Sequence, residues 1–102
     1  MSRYTVIIAS RVDSQLIRHI RFLSNVSLPA AKRFRKEYSE TLDHLEENPF
    51  QFPADTDPNL PEDMYRKALI ARCCKAMFMV ENKNVYLDAV VDCRRSAAAY
   101  DL

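Results

Sequence analysis

The chain of 102 residues contains no glycine. Average usage of about 7% would put about seven glycines in a protein of this length. Their absence excludes chemistry built on glycine loops: the nucleotide P-loop, the dinucleotide fingerprint and the G-x-S-x-G nucleophile elbow. Any phosphate must then be met by side chains. Long apolar runs are missing too. Residues 6–9 and 76–80 are short stretches, far below the roughly 18 residues that suggest a membrane span. Residues 1–9 show no basic leader with an apolar core, so no signal peptide is read. Cysteines are few: Cys73, Cys74 and Cys93, two of them adjacent and without C-x-x-C spacing, alongside only His19 and His44. This is neither a disulfide framework nor a zinc site. The expectation is a reduced, cytoplasmic protein without metal or cofactor.

What is present points to one packed unit. With 48% apolar residues the chain is too hydrophobic for disorder, and its length suits a single domain over residues 1–102. Net charge is only +1, but it is unevenly spread. Residues 1–29 carry a net of +3, residues 30–63 a net of −5, and residues 64–102 a net of +3. Basic ends therefore flank an acidic middle.

Residues 4–9 are β-branched and apolar, which predicts a strand buried on both sides. Ser10 and Asp13 form an S-x-x-D capping signature before an amphipathic helix running to about Asn25. In that helix Val12, Leu16, Ile20 and Leu23 make the stripe, widened by Ile17. A link over residues 24–28 leads to a second helix with Pro29 in its first turn. Its stripe is Ala31, Phe34, Tyr38, Leu42 and Leu45, and it stops at Asn48-Pro49. The two helices are predicted to form an antiparallel hairpin. Residues 49–61 hold four of the five prolines and read as a stiff loop.

Strand patterns follow at residues 65–72, 74–80 and 85–93. Glu81 to Asn84 is predicted to be a hairpin turn in which asparagine supplies the left-handed conformation. In the last strand Val85, Leu87, Ala89, Val91 and Cys93 alternate with Tyr86, Asp88, Val90, Asp92 and Arg94. The order is β-α-α-β-β-β, an α+β fold with a helical hairpin on one face of a mainly antiparallel sheet. The opposite face is expected to be open. Cys74, Ala76, Phe78 and Val80 make the core set of the middle strand, leaving Lys75, Met77, Met79 and Glu81 outside. In the strand before it, Arg66 and Arg72 share one parity, and Tyr65, Lys67 and Leu69 the other; which set faces in stays open. With Arg66 and Arg72 outward, they would join Lys75 and Arg94 in a basic patch able to neutralise phosphate, or serve only solubility and edge protection.

Other residues read more plainly. Lys32 to Lys36 is a basic cluster, explained by nucleic-acid contact or by Arg33–Glu37 and Lys36–Glu40 pairs on a solvated helix. His19 and His44 stand alone and suit surface or capping roles. Cys73 and Cys74 would point to opposite faces of a strand and so could not act together. Met77 and Met79 offer a soft docking surface or ordinary packing. Asp88 and Asp92, near Arg94 and Arg95, suggest salt bridges rather than a metal pair.

Three stretches, in this order, resemble the RelE/ParE superfamily of bacterial toxins from type II toxin–antitoxin (plasmid stabilisation) modules. They are Tyr65-Arg66-Lys67 after a proline-rich loop, residues 74–80 with a turn and then 85–91, and Asp92-Cys93-Arg94-Arg95 closing the last strand. The likeness spans nearly the whole chain. It implies a β-α-α-β-β-β toxin held by an antitoxin that folds on binding. RelE-type members cleave mRNA on the ribosome without metal. The resemblance then assigns catalytic roles to Arg66, Lys75, Arg94 and Tyr100, with Lys67, Arg72 and Arg95 on phosphate or RNA. The 2′-hydroxyl would attack the adjacent phosphate, with a base, an acid and cations around it. Lys75 stands where such enzymes tend to have arginine, and Ala68 where a second lysine is expected. ParE-type members share the fold, lack the nuclease set and poison DNA gyrase. A degenerate member that only binds its antitoxin is the third reading.

Overall fold

The computed structural model describes residues 3–92. Cys93, Arg94, Arg95 and Tyr100 lie outside the described residues. The elements are β1 (Thr5–Ile8), α1 (Ser10–Val26), α2 (Leu28–Glu47), a 3-10 turn over Pro49–Gln51, β2 (Arg66–Ile70), β3 (Cys74–Glu81) and β4 (Asn84–Asp92). The sheet order is β1-β4-β3-β2. β1 runs parallel to β4, and the other two pairings are antiparallel. This is the α+β arrangement that the pattern predicts. No helix among the described residues is long and apolar enough to cross a membrane.

The helical stripes form the first core. Val12 of α1 and Phe34 and Leu45 of α2 are fully buried against Ala68, Ile70, Ala76, Phe78, Val85, Leu87 and Val90 of the sheet. Leu16, Ile20, Leu23, Tyr38 and Leu42 pack on that cluster. Each large apolar side chain so buried contributes roughly 1.5–3 kcal/mol before entropy is counted. Ile17, expected to widen the stripe, is instead 53% exposed.

Several boundaries differ from expectation for local reasons. The capping signature does not operate: Ala9 is the N-cap residue of α1 and Ser10 lies inside the helix. The helices are separated by Ser27 alone, whose hydroxyl accepts a hydrogen bond from the Ala30 N–H at 3.3 Å. β1 is a sheet edge rather than a strand buried on both sides, so Ile7 and Ile8 are each 42% exposed. β2 ends at Ile70, and Arg72 sits in the turn that follows.

Because β1 stops at Ile8, β4 continues past its parallel partner. α1 completes the missing pairing with side chains one turn apart. Gln15 Oε1 accepts the Val90 N–H at 2.8 Å, and His19 Nε2 lies 2.9 Å from the Val90 carbonyl oxygen. The isolated histidine is thus a capping group for a strand edge, and buried Gln15 has its partner.

The last strand breaks its own alternation. Phe78 pairs with Leu87 and Met77 with Ala89, so Asp88 is an extra residue in a β-bulge. A bulge shifts the parity of everything beyond it. Val85 and Leu87 join the helix-side core, as does Val90, whereas Ala89 and Val91 join a second cluster on the other face with Met77 and Leu60. The face expected to be open is therefore a second, smaller core, with Leu60 of the proline-rich segment packed into it. Met77 is fully buried.

Candidate functional site

The register between β2 and β3 decides where the basic residues go. Arg66 pairs with Phe78, Ala68 with Ala76 and Ile70 with Cys74. Those partners belong to the helix-side core, so Arg66 lies on the helix side of the sheet. Its Nη1 donates to the Phe52 carbonyl at 2.7 Å, and its guanidinium carbon stands 4.9 Å from the centre of the Phe50 ring. Arg66 thus holds the segment after α2 in place.

Lys75 takes the other face but is not exposed. Its Nζ donates to Asp55 Oδ2 at 2.6 Å, and the two side chains are 6% and 1% exposed. Asp55 is held by its own backbone: its N–H donates to the Tyr65 carbonyl at 2.8 Å, and its Oδ1 accepts the Asp57 N–H at 3.2 Å. An antiparallel bridge between Ala54 and Arg66, and the Lys67 N–H on the Pro53 carbonyl at 3.1 Å, tie the same segment along the outer edge of β2. Proline supplies the stiffness and Asp55 the anchor. Removing one member of such a buried pair leaves an uncompensated charge, so the lysine is committed to the fold.

Arg66 and Lys75 are therefore on opposite faces, and the basic patch expected from strand parity is not assembled by them. Lys67 is half-buried on the Lys75 side of β2, and Arg72 is exposed in the β2–β3 turn. Arg94, Arg95 and Tyr100 fall outside the described residues. Among the described residues, no group of three or more His, Cys, Asp or Glu is placed to hold a metal ion.

A different constellation occupies the bulge. The Tyr65 hydroxyl donates to Asp88 Oδ2 at 2.8 Å. Burial pushes the Tyr65 hydroxyl above the ordinary tyrosine range, the hydrogen bond to Asp88 and its charge add to this, and the Arg11 cation opposes them. A phenol so placed holds its proton and is a poor general base. Asp88 thus meets the tyrosine that precedes β2. The two residues are 23 positions apart, so their meeting has no local signal in the sequence.

The geometry around the sheet can be compared with known proteins. No family model matches the sequence, and no curated protein matches it either. A chain of the solved structure described as the chromosomal ParDE TA system from P. aeruginosa superposes with a TM-score of 0.67. The match covers 88% of this chain and 96% of that one, at 13% identity. The fold is RelE/ParE-like. At this identity the likeness concerns the backbone arrangement, and the RelE/ParE-like sheet carries its own side chains on both faces. Two features of this chain are the Asp55–Lys75 pair beneath the proline-rich segment and the bulge at Asp88.

Proposed function

We propose that this chain is the cytoplasmic toxin of a type II toxin–antitoxin module, a single domain that acts by binding its target rather than by cutting RNA. The RelE/ParE-like fold supports the toxin reading. One observation carries the choice between activities: the Lys75 ammonium is buried and neutralised by Asp55. A cation spent inside the protein does not reach a scissile phosphate or stabilise its charged transition state. Arg66 faces the other way, onto Phe52 and Phe50. DNA gyrase is the first target to test, since poisoning it is the activity that the ParE-type resemblance implies.

A protein partner is supported by the tip of the helical hairpin. Phe22 is 57%, Val26 71% and Leu28 58% exposed, the first two one helical turn apart and the third just across Ser27. An apolar tip of this kind suits coverage by another chain, here an antitoxin.

The test is induction of the chain in a bacterium, alone and with any small gene found beside its own as the candidate antitoxin. Growth is expected to stop and to recover when the antitoxin is co-produced. Messages should stay intact while DNA breaks or gyrase arrest accumulate, and Arg94→Ala should remain toxic. Cuts within translated frames that vanish in Arg94→Ala would instead establish the ribosome-dependent ribonuclease, with Arg94 and Tyr100 as its centre and Lys67, Arg72 and Arg95 on RNA. Unimpaired growth would leave the degenerate, antitoxin-binding reading.

A further inference from the structure

Neighbouring residues of a strand point to opposite faces, which is why the sequence separates Cys73 from Cys74. The structure brings them together. Cys73 closes the three-residue turn between Ile70 and Cys74. The two residues before it, Ala71 and Arg72, both take left-handed backbone, at φ 51° and 61°. That turn swings Cys73 Sγ to 3.5 Å from Cys74 Sγ and 3.9 Å from the Ile70 carbonyl oxygen. Cys73 is half-buried, and Cys74 is 2% exposed. Neither is part of a disulfide.

We propose that Cys73 and Cys74 are a reversible redox pair that closes to a vicinal disulfide on meeting a low-molecular-weight disulfide such as glutathione disulfide. Exposure divides the roles. The Cys73 thiolate attacks one sulfur of glutathione disulfide, forming a mixed disulfide and releasing one glutathione thiolate. The Cys74 thiolate then attacks Cys73 Sγ, forming the ring and releasing the second. Two protein thiols are oxidised and one glutathione disulfide is reduced; the two thiol protons end on the two released glutathiones. The sulfurs must close from 3.5 Å to about 2.0 Å. Consecutive α-carbons stand about 3.8 Å apart, short of the usual disulfide range of about 4.4–6.8 Å. The ring is therefore strained and readily reduced, the behaviour of a labile regulatory bond rather than a structural one.

The turn is connected to both layers of the fold. The Ala71 N–H donates to Glu37 Oε1 of α2 at 3.0 Å, and Cys74 pairs with Asp92 at the end of β4. Closure would therefore strain a turn that touches α2 and pairs with Asp92 of β4.

The experiment is intact-mass analysis of the full chain carrying Cys93→Ser, treated with glutathione disulfide. The expected product is lighter by two hydrogens, carries no glutathione and returns to its starting mass with dithiothreitol. In the same background Cys74→Ala should stop at a stable adduct of one glutathione. Peptide mapping of the oxidised wild-type chain should place the bond between residues 73 and 74. An unchanged mass, a lasting glutathione adduct with both cysteines present, or a disulfide-linked dimer would each overturn the proposal. The decisive arm leaves both cysteines in place, so it does not depend on the folding of a variant at either.

Discussion

At the scale of single residues, Lys75 shows how far a side chain's role departs from its type. A lysine on an alternating strand reads as a surface cation, yet here it is sealed against Asp55. Asp55→Ala should destabilise the protein by about 3–5 kcal/mol, because the lysine is left buried and unpaired. Urea unfolding of this variant and of the double Asp55→Leu, Lys75→Met measures it. The double variant should recover most of the loss, since two apolar groups have no charge to desolvate. Tyr65 gives a second test. Its folded-state pKa is raised, chiefly by burial, so its stabilising contribution is whole below the unfolded value of about 10. That contribution is lost as pH rises through the folded value. Stability should therefore fall in the alkaline range, and Tyr65→Phe should flatten part of the fall. Tyr38, raised by burial and by Asp13, should keep the remainder. A stability–pH profile that is unchanged in Tyr65→Phe would count against this account.

At the scale of elements, the missing glycine leaves a mark in the turns. Asp63, Ala71, Arg72 and Asn82 all have positive φ, between 51° and 61°. Asn82 is the asparagine turn that the sequence predicts. Ala71 is not an economical choice, since a Cβ in left-handed backbone costs roughly 1–2 kcal/mol. Glycine's extra flexibility when unfolded offsets part of this. Ala71→Gly should thus stabilise the fold by about 0.5–1 kcal/mol, read as a higher urea midpoint at unchanged slope. The helical stripes and their antiparallel hairpin were legible because a 3.6-residue period is written locally. The exposed i,i+4 pairs Arg33–Glu37 and Lys36–Glu40, at 3.9 and 3.8 Å, were legible for the same reason. The bulge was not, because one inserted residue shows only against the strand that it pairs with. That insertion reassigns Ala89 and Val91 from one face to the other.

At the scale of the whole molecule, the sheet carries a core on each face. The helical hairpin lies on one side, and on the other Leu60 and Tyr65 pack with Met77, Ala89 and Val91. Met77→Ala should therefore cost about 2–5 kcal/mol, as for other buried methionines and leucines. A loss below about half a kcal/mol, the scale of surface substitutions, would mean that the second face is solvated after all. The charge map reads differently in this light. The acidic middle of the chain supplies Asp55, which neutralises a cation of the basic C-terminal third. Part of the segregation visible along the sequence is thus cancelled in space.

The sequence by itself determined the order of elements, the two helical stripes, the stiff proline segment and the exclusion of glycine-loop chemistry. Each depends on residues a few positions apart. Only the tertiary structure decided that Lys75 is buried, that Arg66 lies across the sheet from it, and that Cys73 meets Cys74. Asp55 and Lys75 are 20 residues apart, and Tyr65 and Asp88 are 23. Such partners are chosen by strand register, a bulge and the path of a loop, none of which local periodicity encodes. The two cysteines are adjacent, but their meeting depends on a left-handed turn that strand alternation does not foresee.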